Sequence, residues 1–522
     1  MSFSILRVIV LVCLATVLGA QEADRTALEW LNARVDIQSA TVSLLTLRRT
    51  SKASEAVKAE VDKLLREGGG FLASGNTGET RRRIYHSLSL FGGQPWTPKE
   101  EFAAALLLRT DTRVADPARR MVAHLEQIYP AVYQPAAGWR LRVTLHEGVP
   151  SRTGPRPGKL LRDEGIVEGV SRDLIDDPGS FDADLSCCGE GLRVLAVELL
   201  DGDQSIRKLW TGVHVVAGLD TRQREIEQRL GKLSGFESAK ASVLAPFDLA
   251  RTINLGRREF ARVDFAAEVR QAEELLRALE AGRDPLTQAV GNHKRHYYFA
   301  EAGEIMPYRV FVPSVYKPGA HLPLVVVLHG LGGTEDAFLA RGGGQLQSLA
   351  EKHGFVVAAP LGCRINGGYG SGIRRFTDAA RKRTAELSEK DVLKVLKLVS
   401  EEYGTDPRRT FLTGHSMGGA GTWYLGQKYA DKWAAIAPIA GPAPDVASYP
   451  FDRLKGMPVM VCHGDADATV PVEASRSMVA GMKERGLTPV YVEVPGASHG
   501  SVVEVALPKI LDFFGEQPAR AR

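Results

Sequence analysis

The chain has 522 residues, too many for one hydrophobic core, and a prior of roughly 150 residues per domain gives two to four units. Hydrophobic residues make up 44% and charged residues 25%, an ordinary globular composition. The net charge of +4 is too small to argue for nucleic acid, and no face-long basic cluster accompanies it.

Residues 1–20 read as a signal peptide. Arg7 supplies a positive start, Val8 to Leu18 is an uncharged run, and Gly19-Ala20 offers small residues to a signal peptidase. The run is short for a bilayer span, so a secreted or periplasmic location is expected. No later segment is apolar enough to span a membrane. Cys13 would leave with the signal. The four remaining thiols, Cys187, Cys188, Cys363 and Cys462, do not make a disulfide framework in so long a chain. Cys462 sits in an apolar run and is expected in the core. No cysteine pair has metal-ligand spacing with histidines.

Residues 21–135 are expected to form a helical N-terminal region. Leu28, Leu31, Val35 and Ile37 are spaced for a helix, as are Val57, Val61, Leu64 and Leu65. Phe102 to Leu108 and Met121 to Ile128 continue that theme, while Gly68-Gly69-Gly70 and Gly75-Asn76 read as an interruption. Residues 136–218 change character. Arg140 to Leu145 alternates as a half-buried strand should, turns are expected from Pro150 to Gly158, and Leu192 to Leu200 and Lys208 to Val216 are further strands. A small β-rich, sandwich-like domain follows from these. Residues 219–290 read as a helical connector, with Ile226, Leu230 and Leu233 in one stripe and Val269, Ala272, Leu275, Leu276 and Leu279 in another.

From 291 to 518 the pattern is strand, turn, helix. Tyr297 to Phe299 and Tyr308 to Val312 open it. Leu322 to Leu328 is a near-continuous apolar run, as a strand buried on both faces requires, and Phe355 to Ala359, Thr410 to Thr413, Ala434 to Ile439, Val459 to Cys462 and Val490 to Val494 follow. Helical stretches such as Asp391 to Tyr403 lie between them. This alternation predicts an α/β domain with a mostly parallel sheet covered by helices.

The sharpest motif is Thr413-Gly414-His415-Ser416-Met417-Gly418-Gly419, a G-x-S-x-G between a strand and a helix. There a tight turn lifts the serine to the top of the sheet, beside N–H groups that can stabilise an anion. A second match, Gly496-Ala497-Ser498-His499-Gly500, shows that the pattern alone decides little. Context decides. Leu328-His329-Gly330-Leu331-Gly332-Gly333 ends a buried strand with a glycine-rich turn that can present the Leu331 N–H beside that of Met417. Val461-Cys462-His463-Gly464-Asp465-Ala466-Asp467 ends another strand with acids in its loop, and His499 comes after the last strand. The order serine, acid, histidine is the one the α/β-hydrolase fold uses.

These stretches resemble the α/β-hydrolases of the esterase, phospholipase/carboxylesterase and predicted-peptidase type, near the feruloyl-esterase-like carbohydrate esterases. The resemblance covers about residues 295–515. It rests on Leu328 to Gly333, on Gly414 to Trp423, and on His463 to Pro471. It implies Ser416 as nucleophile, His499 as base and Asp467 as acid, with Asp465 the weaker candidate. It also implies an ester substrate, carbohydrate- or phenolic-linked, and no cofactor. His415 and His329 are assigned structural roles and Trp423 a packing role on the elbow helix. Asn366 to Gly372 reads either as a glycine-rich substrate loop, with Tyr369 as a stacking surface, or as an ordinary solvent loop, and Arg374 and Arg375 as solvated. Two other readings compete: a prolyl-oligopeptidase-like serine peptidase, which the absence of propeller repeats disfavours, and an inactive hydrolase fold used for binding.

Overall fold

The computed structural model describes residues 53–520 apart from 134–137, 152–153, 172, 259–262 and 374–378, together with residues 37, 40, 41, 44 and 47. The expected signal peptide, the Leu28 to Val35 stripe, Arg374 and Arg375 lie outside the described residues. The chain divides into two units, Met1–Gln228 with Pro246–Gln271, and Arg229–Ala245 with Ala272–Arg522. No described helix is long and apolar enough to cross a membrane.

The first unit opens with helices Glu55–Ala73, Thr77–Phe91 and Pro98–Ala105, each started by a side-chain cap. Ser54, Asn76 and Thr97 accept from the N–H of Val57, Glu79 and Glu100 respectively, satisfying donors that the first turn leaves free. Val61, Leu64 and Ile84 are buried. The expected interruption at Gly68 to Gly70 does not occur. The first helix runs through all three, and Thr80 of the next helix donates to the Gly68 carbonyl at 3.1 Å, so tertiary contact overrides weak propensity.

The helical expectation holds for Phe102 to Ala105 and is overturned for Leu106 to Leu108 and for Met121 to Ile128. The helix stops at Ala105. Leu106–Thr110 is strand β1, followed by β2 (Val114–Ala115) and β3 (Met121–Gln127). A short apolar run such as Leu106-Leu107-Leu108 has no period that separates helix from strand. Then come β4 (Trp139–Val149), β5 (Arg156–Val170), β6 (Gly179–Ala183), β7 (Gly191–Asp201) and β8 (Gln204–Val215). Turn chemistry therefore ends at Pro155, because Arg156 already begins β5. The strands form a three-stranded sheet, β1-β3-β6, and a five-stranded one, β2-β8-β7-β4-β5. Leu108, Leu125 and Phe181 from the first share one core with Leu141, Val143, Leu195 and Val213 from the second. Helices Leu219–Leu230, Glu237–Asn254 and Phe265–Glu280 occupy the stretch expected to be helical.

The second unit holds β9 (Gly291–Phe299), β10 (Glu304–Val312), β11 (Leu324–Leu328), β12 (Val356–Pro360), β13 (Thr410–His415), β14 (Ala435–Ile439), β15 (Met460–Gly464) and β16 (Val490–Val494). Their order is β16-β15-β14-β13-β11-β12-β10-β9, and β11 to β16 run parallel. All five residues of β11 are buried, worth roughly 1.5–3 kcal/mol for each large side chain. Leu324, Val326 and Leu328 face Val395, Val399 and Trp423 on one side. Val325 and Val327 face the other, with Leu346, Ile510 and Phe514. This two-sided burial is why the sequence reads as an unbroken apolar run. The chain leaves β11 for β12 on one side and later enters β13 on the other, so the ligand crevice belongs at the carboxyl ends of these strands. This is the α/β-hydrolase fold.

Candidate active site

The turn after β13 is fixed by what glycine leaves out. A Cβ on Gly418 would lie 2.0 Å from the Leu328 carbonyl oxygen, and one on Gly414 would lie 2.5 Å from that of Gly418. No side chain can be accommodated at either without moving backbone. The turn therefore closes tightly against β11 and carries Ser416 at φ 57°, ψ −115°, immediately before the helix Met417–Lys428. A serine in that region costs about 1–3 kcal/mol, which the packed turn must offset.

The last strand, β16, delivers the histidine. His499 Nε2 lies 2.9 Å from Ser416 Oγ, and His499 Nδ1 lies 2.6 Å from Asp467 Oδ2. An ionised carboxylate only accepts, so Nδ1 carries the proton toward Asp467 and Nε2 is left to receive one from the serine. The loop bearing His499 is itself held from the elbow: His415 Nε2 donates to the His499 carbonyl at 2.7 Å. Burial, reinforced by the neighbouring His499, pushes His415 down to about 4, so it is neutral at physiological pH.

Asp467 is buried and fully engaged. Its Oδ1 accepts from the N–H groups of Thr469 and Val470 at 2.8 and 2.9 Å. Burial alone would raise its pKa. The bond from His499 and the two backbone donors outweigh burial and leave it below the ordinary value. Asp465, two residues earlier, is exposed and accepts from Gly496 N–H at 2.6 Å, bracing the histidine loop without touching the ring. Ser498, at the centre of the second G-x-S-x-G, is exposed and bonds Ser501 at 3.0 Å.

Among the described residues, the backbone N–H groups of Leu331 and Met417 have no protein acceptor. The Leu331 turn is shaped by Gly332 N–H donating to the Ile365 carbonyl and Gly333 N–H to that of Gly330, both at 2.9 Å. The arrangement can thus take a proton from Ser416 and offer two donors to an oxyanion.

Tyr369 is not a stacking surface. It is fully buried, and its hydroxyl donates to the His329 carbonyl at 3.2 Å. The loop around it turns inward because glycines beside the ring leave room for it. Trp423 is buried, edge-on to Tyr449, as a packing residue should be. Cys462 is buried in β15, and burial pushes its thiol up to about 12.

Sequence reasoning assigns no role to His463. It is fully buried, with Nε2 3.2 Å from Asp467 Oδ2 and 3.0 Å from the Val470 carbonyl, and Nδ1 2.7 Å from Ser475 Oγ. A histidine at a strand end, four residues before the acid, is the signal that could have found it.

Residues 300–477 match the family described as "Putative esterase". The bifunctional acetylxylan esterase/xylanase XynS20E of Neocallimastix patriciarum is 30% identical over 170 residues, 33% of this chain and 22% of that protein. The S-formylglutathione hydrolase of Bos taurus is 30% identical over 152 residues, 26% of this chain and 53% of that protein. The chain thus spans about half or less of the curated relatives it matches. Among solved structures, a ferulic acid esterase from Anaeromyces mucronatus has a TM-score of 0.35 at 18% identity, covering 43% of this chain and 90% of that one. A thermostable esterase has a TM-score of 0.37 at 19% identity, covering 76% and 95%. Residues 300–477 thus match an esterase family model, and they lie within a domain, residues 291–494, whose strand order is that of the α/β-hydrolase fold.

Proposed function

We propose that the protein is an exported serine hydrolase that cleaves a carboxylic ester through an acyl-enzyme on Ser416. The observation that carries this reading is the hydrogen-bonded line from Ser416 through His499 to the buried Asp467, at 2.9 and 2.6 Å. Ser416 Oγ attacks the ester carbonyl as His499 Nε2 takes its proton. Asp467 fixes the tautomer and stabilises the positive ring. The N–H groups of Leu331 and Met417 receive the developing oxyanion, and His499 returns its proton to the leaving alcohol. Water then repeats the sequence on the acyl-enzyme. The matching relatives carry acetyl and formyl groups in their names, which supports an ester of a short acyl group as the substrate class. Export rests on Arg7, the Val8 to Leu18 run and Gly19-Ala20.

A fluorophosphonate probe should label Ser416. p-Nitrophenyl acetate should be turned over faster than the octanoate. Ser416→Ala should abolish both labelling and turnover. Labelling at Ser498, or turnover that survives Ser416→Ala, overturns the reading.

A further inference from the structure

The turn that carries the Leu331 N–H has little packing of its own at its tip, since Leu331 is 66% exposed. The elbow packs against its start at Leu328 and His329, and the loop after β12 holds it from beneath. Gly332 N–H donates to the Ile365 carbonyl at 2.9 Å. The Tyr369 hydroxyl donates to the His329 carbonyl at 3.2 Å. His329 Nε2 lies 2.7 Å from the Leu361 carbonyl. All three contacts come from residues 361–369, and the Tyr369 ring stands edge-on to His329 with centroids 5.6 Å apart.

Tyr369 also touches the other half of the site. A Cβ on Gly421, in the helix that Met417 begins, would lie 2.7 Å from the Tyr369 ring. A Cβ on Gly362 would lie 2.6 Å from the ring's other edge. The ring therefore sits against glycines of both the elbow helix and its own loop. Its backbone is left-handed, at φ 55°, ψ 30°, an unfavourable conformation for a bulky residue. Ser388 Oγ, on the helix Ala379–Tyr403, accepts the Tyr369 N–H at 2.9 Å and holds that conformation. Burial pushes the phenol far above its ordinary pKa, so the hydroxyl remains a donor throughout the working range.

We propose that Tyr369 is a positioning residue for acyl transfer: its hydroxyl and ring set the Leu331 turn at a fixed separation from the elbow helix, so that the Leu331 and Met417 N–H groups converge on one oxyanion. This rests on the serine esterase reading above. The oxyanion forms only in the reaction, so loosening the turn should lower kcat and leave KM alone. A misplacement of about 1 Å costs on the order of 100-fold, and the loss of one hydrogen bond beneath the turn should move it less.

The test is Tyr369→Phe, which keeps the ring and removes only the hydroxyl. Kinetics on p-nitrophenyl acetate are normalised to sites counted by complete fluorophosphonate labelling, with circular dichroism to check folding. The expected result is a fall in kcat of about 10-fold with KM within about 2-fold. A kcat equal to that of the parent, or a loss carried by KM, overturns the proposal. Ser416→Ala, run beside it, separates the two readings. If Ser416→Ala still turns over ester, the esterase reading fails. If it is inactive while Tyr369→Phe is unimpaired, only the positioning role fails. Should Tyr369→Phe not fold, Ser388→Ala decides instead. It leaves the ring and hydroxyl and removes the acceptor of the Tyr369 N–H, and it should lower kcat alone by about 3-fold. An unchanged kcat there overturns the proposal.

Discussion

The turns after β13 and after β12 are both rich in glycine, and both hold a non-glycine residue at nearly the same positive φ, 57° at Ser416 and 55° at Tyr369. They do opposite things with it. After β13 the glycines stand where a Cβ would strike backbone, at Gly414 and Gly418, so the turn closes on its neighbours and pushes the serine up to the partly open rim. After β12 it is Gly362 of the loop, together with Gly421 of the facing elbow helix, that stands where a Cβ would strike the ring of Tyr369, so the loop folds over an aromatic side chain and buries it. Glycine content and strain mark both turns as special. Which atoms occupy the missing Cβ positions decides whether the central side chain is presented or hidden.

The contrast breaks most directly at the presented residue. Ser416→Ala should lower kcat/KM on p-nitrophenyl acetate by about 10⁴–10⁶ without loss of folding, measured by initial rates and circular dichroism. Next in size is the acid. Asp467→Asn should lower turnover on the order of 10³–10⁴, because the His499 tautomer is no longer fixed. Asp465→Asn should stay within about 3-fold, because that carboxylate is exposed and reaches only Gly496 N–H. A larger loss at Asp465 than at Asp467 would reverse the assignment.

The glycines sharpen the comparison. Gly418→Ala meets a carbonyl oxygen at 2.0 Å and should cost more than about 4 kcal/mol, seen as failure to accumulate folded protein. Gly421→Ala meets the Tyr369 ring at 2.7 Å, and a ring can shift where backbone cannot. It should fold, losing about 1–3 kcal/mol in thermal unfolding. Equal losses at the two positions would show that the Tyr369 ring is held as rigidly as the backbone.

Much of this is legible in the sequence, and the failures have physical causes. The sheet of the second unit can be read because strands buried on both faces, such as Leu324–Leu328, must be apolar throughout. Ser416, Asp467 and His499 stand out because each ends or follows a strand, in the order the fold imposes. In the first unit, β1 and β3 read as helix because runs this short carry no decisive period. β5 escapes notice because it is an exposed edge, whose Lys159, Arg162, Asp163 and Glu164 look like loop. Tyr369 is misplaced because nothing local says which way a glycine-rich loop folds. That depends on Gly421 and Ser388, which are remote in sequence. His463 stands inside a motif without declaring its part, because its partner Ser475 lies twelve residues away and becomes adjacent only in the fold.

The smallest expected effect lies beneath the hidden residue, at Asp391. This carboxyl is fully buried in the helix Ala379–Tyr403, accepts from Cys363 N–H at 2.8 Å and from the Tyr297 hydroxyl, and so anchors the start of the loop that carries Tyr369. Burial raises its pKa. The bonds from Tyr297 and from the N–H groups of Cys363 and Gly362 oppose that rise, and the buried Glu335 adds to it, leaving Asp391 at about 6 against an ordinary 3.8. The sign follows from linkage: the folded state holds this proton more tightly than the unfolded chain. The stability it contributes is fully present below about pH 4 and is lost as pH rises through about 6. The gap between the folded and the ordinary value sets an upper bound of about 3 kcal/mol, and relaxation around the carboxylate should reduce the observed effect to about 1–2 kcal/mol. Asp467, whose pKa is lowered, works in the opposite direction, its contribution being lost as pH falls below about 4. Wild type and Asp391→Asn should therefore be compared in thermal unfolding at pH 5 and pH 7. The wild type should lose stability relative to Asp391→Asn on going from pH 5 to pH 7, because the amide cannot ionise. Parallel behaviour of the two proteins across that interval would mean that the buried carboxyl already ionises below pH 5, held charged by its three donors, and that the loop beneath the Leu331 turn is anchored by a charge at every working pH.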